Sequence, residues 1–156
     1  VHDRLESEVP LGAFLSGGVD SSAVVGLMSQ IMDQPVKTFS IGFNEDSFDE
    51  LKYARMASRH FKTEHHEFVV SSDFVDIVDD LVWHFDEPFA DSSALPTFMV
   101  SKLARQYVTV VLSGDGGDEL FGGNVRYARQ KLFEVYWTLP QSLRAQVIEP
   151  LLLGAT

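Results

Sequence analysis

A strand-forming apolar run, Leu11 to Leu15, feeds directly into Ser16-Gly17-Gly18-Val19-Asp20-Ser21-Ser22 and then into a segment of helical period. No other feature constrains the fold of this chain as tightly. Strand, glycine turn and helix in that order form the first half of a βαβ unit. The paired glycines permit positive φ and close approach of the backbone to a ligand. N–H groups and the macrodipole of the following helix favour an anion there. Two serine hydroxyls add donors, and Asp20, Ser21 or Ser22 is expected to cap the helix. A Walker A loop needs a Lys before its Ser or Thr, and a dinucleotide fingerprint needs GxGxxG; the run has neither.

The rest of the chain repeats the alternation. Ala23 to Met32 reads as a helix with Val24, Leu27, Met28 and Ile31 on one face, and Val36 to Phe43 as a second strand. An acidic loop, Asn44 to Asp49, follows. Asp49 is expected to cap a helix whose inner face carries Tyr53, Ala57 and Phe61. His66 to Val70 is predicted as a strand, and Ser72 as the cap of a helix with Phe74, Ile77, Val78 and Leu81 inward. Trp83 to Ser93 is read as irregular, Ala94 to Gln106 as a helix, and the β-branched run Val108 to Leu112 as a strand buried on both faces. Helical patterns continue to the C-terminus, broken by Pro140 and Pro150. The pattern predicts a doubly wound α/β fold with a mainly parallel sheet and a helical C-terminal extension. Phe and Trp at helical spacing are assigned to the core.

A second turn, Ser113-Gly114-Asp115-Gly116-Gly117-Asp118-Glu119, also follows a strand and opens a helix. Three carboxylates in five residues repel one another unless a cation is shared. Asp118 and Glu119 also suit the first turn of a helix, but Asp115 lies among glycines. Ligands of open α/β sheets bind beyond the carboxyl ends of strands where strand order reverses. The strands Leu11–Leu15 and Val108–Leu112 are therefore predicted to be neighbours. Asp20 and Asp118 would then share a Mg²⁺ ion against a polyphosphate.

Composition narrows the partners. The 156 residues carry a net charge of −11 and no cysteine. That charge argues against a general nucleic-acid or membrane surface, and the missing thiols suit a cytoplasmic protein without a disulfide framework. Val1 at the start and the apolar Leu151-Leu152-Leu153 near the end are read as the bounds of a piece cut from a longer protein.

The run SGGVDSS resembles the PP-loop of the ATP pyrophosphatases, which cleave ATP between the α- and β-phosphates. SGDGGDELFGG is similar to the second signature of the asparagine synthetase and β-lactam synthetase branch. Asp86-Glu87-Pro88-Phe89-Ala90-Asp91-Ser92-Ser93, followed by Pro96, resembles the intervening loop of that branch. Thr38-Phe39-Ser40-Ile41-Gly42-Phe43 resembles its second strand. The resemblance spans nearly the whole chain. It implies one synthetase domain, 1–156, of a larger glutamine-hydrolysing amidotransferase, with ATP and Mg²⁺ as cofactors. Ser16, Gly17, Gly18, Asp20, Ser21 and Ser22 would hold pyrophosphate, and Phe14 or Leu15, with Ile41, would pack on adenosine. Ser113 and Gly114 would meet the α-phosphate or ribose. Asp20 and Asp118 would bind Mg²⁺, Asp115 would serve acyl-adenylate formation, and Glu119 would lie near the amino-acid end of the substrate.

The implied reaction begins with a carboxylate substrate, aspartate in the archetype, attacking the α-phosphorus of MgATP. Pyrophosphate leaves and ammonia from glutamine captures the acyl-adenylate. A glutaminase domain with its Cys nucleophile, and a catalytic Lys expected beyond Thr156, would belong to the remainder of the protein. The domain alone is thus expected to be catalytically incomplete. Asn124 stands where the family often has Tyr, with Tyr127 three residues on. A PP-loop enzyme acting on tRNA and a nucleotide-binding regulatory module are the competing readings. The sequence also leaves room for a homodimer.

Other ionisable residues have plainer assignments. His65 and His66 are strand neighbours pointing to opposite faces, beside Glu64 and Glu67, and cannot chelate together. His60 and His84 are taken as structural. Lys102, Arg105, Arg126 and Arg129 are placed on solvated helix faces.

Overall fold

The computed structural model describes residues 1–43, 51–70, 75–87, 91 and 93–153. Two compact units divide it, Val1–Asp115 and Gly116–Thr156. After a short 3₁₀ turn at His2–Arg4, the first unit runs β1 (Leu11–Phe14), α1 (Val19–Ile31), β2 (Lys37–Phe43), α2 (Leu51–Phe61), β3 (Glu64–Val70), α3 (Val75–Phe85), α4 (Ala94–Ala104) and β4 (Val110–Leu112). The described strands form one parallel sheet in the order β3-β2-β1-β4. This is the α/β alternation expected from the sequence. The chain lays β1, β2 and β3 outward in one direction, then returns to the other side of β1. Leu11 is registered with Val110, Gly12 with Val111 and Ala13 with Leu112, so the two strands that precede the glycine turns are neighbours.

Each face of the sheet has its own core. On one, Ala13 and Leu15 of the β1 segment meet Val25 and Met28 of α1, Val36, and Ala54 of α2. On the other, Phe39 of β2 meets Val100 and Ala104 of α4 and Val108, with Phe14 and Ile41 half-buried alongside. Period-2 alternation along β1 and β2 sends neighbouring residues to opposite sides.

Several helix faces differ from the apolar period. Along α1 the buried positions are Ser21, Val25, Gly26 and Met28, while Leu27 and Ile31 are exposed. Gly26 sets this rotation, because a Cβ there would stand 2.9 Å from the Phe61 ring of α2. A glycine contact is invisible to a hydrophobic pattern. Along α2 the inward residues are Leu51, Ala54 and Ser58, and Tyr53 faces out. Along α3, Val78 and Trp83 are exposed, Trp83 at 82%, so the aromatic period there does not mark core. Helical structure persists to Phe85, so the irregular stretch begins later than expected. At its far end, α4 stops at Ala104, short of Gln106. Strand β4 is short and pairs with β1 on one side only among the described residues. Val110 is 40% exposed, not buried on both faces. The expected caps Asp49 and Ser72, the loop from Asn44, and Phe74 lie outside the described residues.

The described elements of the second unit are all helical: α5 (Gly117–Phe121), α6 (Val125–Thr138), α7 (Gln141–Leu143), a π turn (Arg144–Ile148) and α8 (Glu149–Leu153). Tyr136 Oη donates to Glu149 Oε1 at 2.6 Å, and the Arg144 guanidinium lies 4.4 Å from the Trp137 ring centre. Phe121, Phe133 and Trp137 are exposed, a second departure from the expected aromatic core.

Polar side chains line the sheet face under α2. Thr38 Oγ1 meets Thr63 Oγ1 at 2.8 Å and His65 Nδ1 at 2.9 Å. His65 Nε2 lies 3.3 Å from Glu67, whose carboxylate accepts from Arg55 of α2 through both oxygens. His66 points the other way, stacked on Phe39 and against Tyr107, as expected for strand neighbours. Burial disfavours the imidazolium of His65 and outweighs the attraction of Glu67, so its pKa lies below the ordinary 6.5. The Arg55 hydrogen bonds hold Glu67 below its ordinary 4.5. In the window from 6.5 down to the folded-state value of His65, the unfolded chain binds the extra proton. Stability is therefore complete above that window and falls on acidification through it, and Glu67 adds a loss in the same direction below 4.5. The thermal midpoint is expected to drop as the pH falls through and below 6.5, and His65→Gln should flatten that part of the profile in calorimetry.

Candidate functional site

The end of β1 builds a cradle from the backbone outward. Gly17 has φ +83°, in the left-handed region where a side chain is strained. A Cβ on it would also collide with the α2 backbone at Tyr53 and Ala54. The turn can thus lie flat on α2 only as glycine. Gly18 is the N-cap of α1, with no side-chain cap bond of its own, and Ser22 N–H closes the first helical turn onto Gly18 carbonyl at 3.1 Å. Asp20, Ser21 and Ser22 consequently lie inside the first turn rather than capping it. The hydroxyls tie the turn to itself. Gly18 N–H donates to Ser16 Oγ at 3.2 Å, Ser16 Oγ and Ser21 Oγ are 3.0 Å apart, and Ser21 Oγ donates to Gly18 carbonyl at 3.3 Å. Ser21 is buried, whereas Ser16 and Gly18 are exposed and Asp20 half-exposed. The thirteen-residue α1 presents its free N–H groups and positive dipole end at this surface.

The second turn reaches the same place from β4. A Cβ on Gly114 would stand 2.7 Å from Ser21 nitrogen and 3.0 Å from the Asp20 carbonyl carbon. The two glycine turns are therefore in backbone contact, as their neighbouring strands require. Ser113 Oγ donates to Asp115 Oδ2 at 2.9 Å and accepts from Asp115 N–H at 3.4 Å. The acid is thereby folded onto its own turn with its outer face exposed.

Of the remaining predicted residues, Phe14 and Ile41 share one side of the sheet, half-buried beside Phe39. Leu15 points to the opposite face, 1% exposed. Asp118 and Glu119 belong to the second unit, in the first turn of α5, and a Cβ on Gly123 would meet Asp118 Oδ1. Asn124 is the N-cap of α6, its Oδ1 accepting from Arg126 N–H at 2.9 Å. The Asn at this point has a structural explanation: it satisfies a helix terminus. Asp86 ends α3 in the left-handed conformation, φ +56°, and Asp91 Oδ1 accepts from Ser93 N–H at 2.8 Å. Pro88, Phe89, Ala90 and Ser92 lie outside the described residues.

Beside Asp86 lies an open groove of about 910 Å³ between α3 and the start of α4, lined by Val82, Trp83 and Leu95 with Asp79, Asp86 and Glu87 among its acids. Its carboxylates would repel a phosphate or a carboxylate substrate.

Two polar residues were missed in reading the sequence for a site. Thr38 and Ser40 alternate within an otherwise apolar strand, and both are buried. Ser40 Oγ donates to the Leu15 carbonyl, next to the glycine turn. Period-2 polar positions inside an apolar strand are the signal that could have found it.

A parallel sheet with glycine-rich turns at its topological switch defines an α/β domain of the class whose ligands bind beyond the strand ends. The Asparagine synthase family model matches residues 1–155. The chain belongs to the asparagine synthase family. It is 48% identical over 143 residues to a provisionally named asparagine synthetase (glutamine-hydrolyzing) 2 of Methanocaldococcus jannaschii, covering 90% of this chain and 28% of that protein. It is 37% identical over 149 residues to asparagine synthetase (glutamine-hydrolyzing) 1 of Bacillus subtilis, covering 95% and 23%. The chain thus spans about a quarter of the length of these relatives. In fold it is similar to an NH3-dependent NAD synthetase from Campylobacter jejuni solved with a nitrate ion. That likeness has a TM-score of 0.50 at 16% identity and covers 78% of this chain and 54% of the other.

Two measurements check the local geometry. Gly17→Ala and Gly114→Ala are each expected to cost at least about 2 kcal/mol in chemical denaturation, from strain and backbone collision. Asn124→Ala should cost about 1 kcal/mol, with Asn124→Ser retaining most of it, because only the cap bond is at stake.

Proposed function

We propose that this domain activates a carboxylate substrate, aspartate or a close analogue, by transferring AMP to it from MgATP with release of pyrophosphate. Ammonia released from glutamine elsewhere in the full-length protein then captures the acyl-adenylate. The observation that carries this reading is the cradle at the end of β1, touched by Gly114 from the end of β4. It offers N–H groups, two coupled hydroxyls and a helix terminus to an anion. It has no Lys at the Walker position, which suits leaving-group pyrophosphate better than γ-phosphoryl transfer.

The residues present fit ATP. Phe14 and Ile41 offer an apolar surface for adenosine beside the strand ends, and the cradle receives the polyphosphate. They also suit Mg²⁺, which favours oxygen donors from one or two carboxylates plus phosphate and water. No group of three or more His, Cys, Asp or Glu among the described residues could hold a metal unaided. In this reading Asp20 and Asp118 are the carboxylates offered to the ion. When bound, the ion neutralises charge on the departing pyrophosphate.

The tasks left to the chain are positioning and charge. Ser16, Gly17, Gly18, Ser21 and Ser22 orient the β- and γ-phosphates so that the α-phosphorus faces the incoming carboxylate. Ser113 and Gly114 adjoin the α-phosphate or ribose, Asp115 supports acyl-adenylate formation, and Glu119 lies near the amino-acid end of the substrate. A net charge of −11 disfavours a tRNA acceptor. No described helix is long and apolar enough to cross a membrane. In the full-length protein, Asp118→Ala is expected to abolish ATP–pyrophosphate exchange while leaving glutamine hydrolysis measurable. Retained exchange would refute the metal role.

A further inference from the structure

We infer that Ser40, on the strand beside the glycine turn, is a positioning residue for the pyrophosphate cradle; this rests on the proposed function above. Ser40 is 4% exposed and Leu15 1%. Leu15 is held to β2 at both of its polar groups: its N–H donates to the Phe39 carbonyl at 2.9 Å, and its carbonyl accepts the Ser40 hydroxyl. The peptide joining Leu15 to Ser16 is planar, so fixing its carbonyl fixes the direction of the Ser16 N–H on its other side. That N–H donates to Ser21 Oγ at 3.3 Å.

Ser21 in turn donates to the Gly18 carbonyl. With its proton committed there, the proton shared between Ser16 Oγ and Ser21 Oγ belongs to Ser16. Ser16 Oγ is then the acceptor for Gly18 N–H. A single buried hydroxyl on a neighbouring strand thus orients the first peptide of the turn, and the turn passes that orientation on to Gly18. Alanine at position 40 would leave the Leu15 carbonyl without this donor in a buried setting and would free its peptide to tilt. Ser58 offers a matched comparison. It is buried at 7% and accepts from Thr63 Oγ1 at 3.0 Å, a contact within the α2–β3 corner.

Calorimetric titration of the full-length protein with inorganic pyrophosphate, MgATP and AMP tests this. Ser40→Ala should weaken pyrophosphate and MgATP about tenfold and leave AMP unchanged. Ser58→Ala should lower the thermal midpoint without changing any of the three affinities. Wild-type pyrophosphate affinity in a folded Ser40→Ala protein overturns the positioning role and leaves the proposed function standing. A wild-type protein that binds neither pyrophosphate nor MgATP overturns the proposed function, and this inference with it. If Ser40→Ala does not fold, Ser40→Cys carries the test. Its weak donor should leave pyrophosphate binding about threefold weaker. Unchanged affinity in that variant overturns the inference as well.

Discussion

Everything at the candidate site depends on β1 being paired on both sides. Its partnership with β2 supplies Ser40 and the Phe39 carbonyl that pin Leu15. Its partnership with β4 carries Gly114 into contact with the first turn of α1. Remove either neighbour and the glycine turn loses a wall. The α2 backbone against Gly17 supplies a third. The cradle is thus shaped by four separate segments of the chain, although only one of them bears the recognisable run of glycines and serines. Main chain is brought against main chain at Gly17 and Gly114, where any Cβ would intrude. The rigidity of the turn comes from steric closeness as much as from hydrogen bonding.

The sheet also separates two kinds of environment. Under α4 the core is apolar and aromatic, and Phe14 and Ile41 stand at its edge. Under α2 the face carries Thr38, Ser40, Thr63 and His65 among its hydrophobic side chains, each with a hydrogen-bond partner. A half-buried hydrophobic surface and a polar layer that can steer a peptide plane therefore lie on opposite sides of the same strands.

The strand–turn–helix order and the β1–β4 pairing were legible in the sequence because apolar runs and glycine turns are local signals with a topological consequence. Helix faces were less legible. In α1 and α2, contacts made by Gly26, Ala54 and Ser58 decide the rotation, and small residues weigh little in a hydrophobic period. Trp83 and Trp137 misled for the opposite reason: large apolar side chains suggest burial, yet these are exposed. Asn124 looked like a departure from the family and is a helix cap. Ser40 was passed over because its partner is a carbonyl on a different strand, a contact that no spacing along the chain encodes.

The register of Gly12 with Val111 has a consequence for how the domain is made. These partners lie near opposite ends of the first unit, so their pairing closes a long loop, and non-local parallel pairing of this kind is slow to form. During synthesis the glycine turn emerges before Gly114, and the strand that carries Gly114 emerges only after α1 to α4. The nascent chain therefore holds the sequence of the glycine turn without its surrounding geometry until β4 docks. The shape of the candidate site, on this account, is a late acquisition of folding rather than a seed for it.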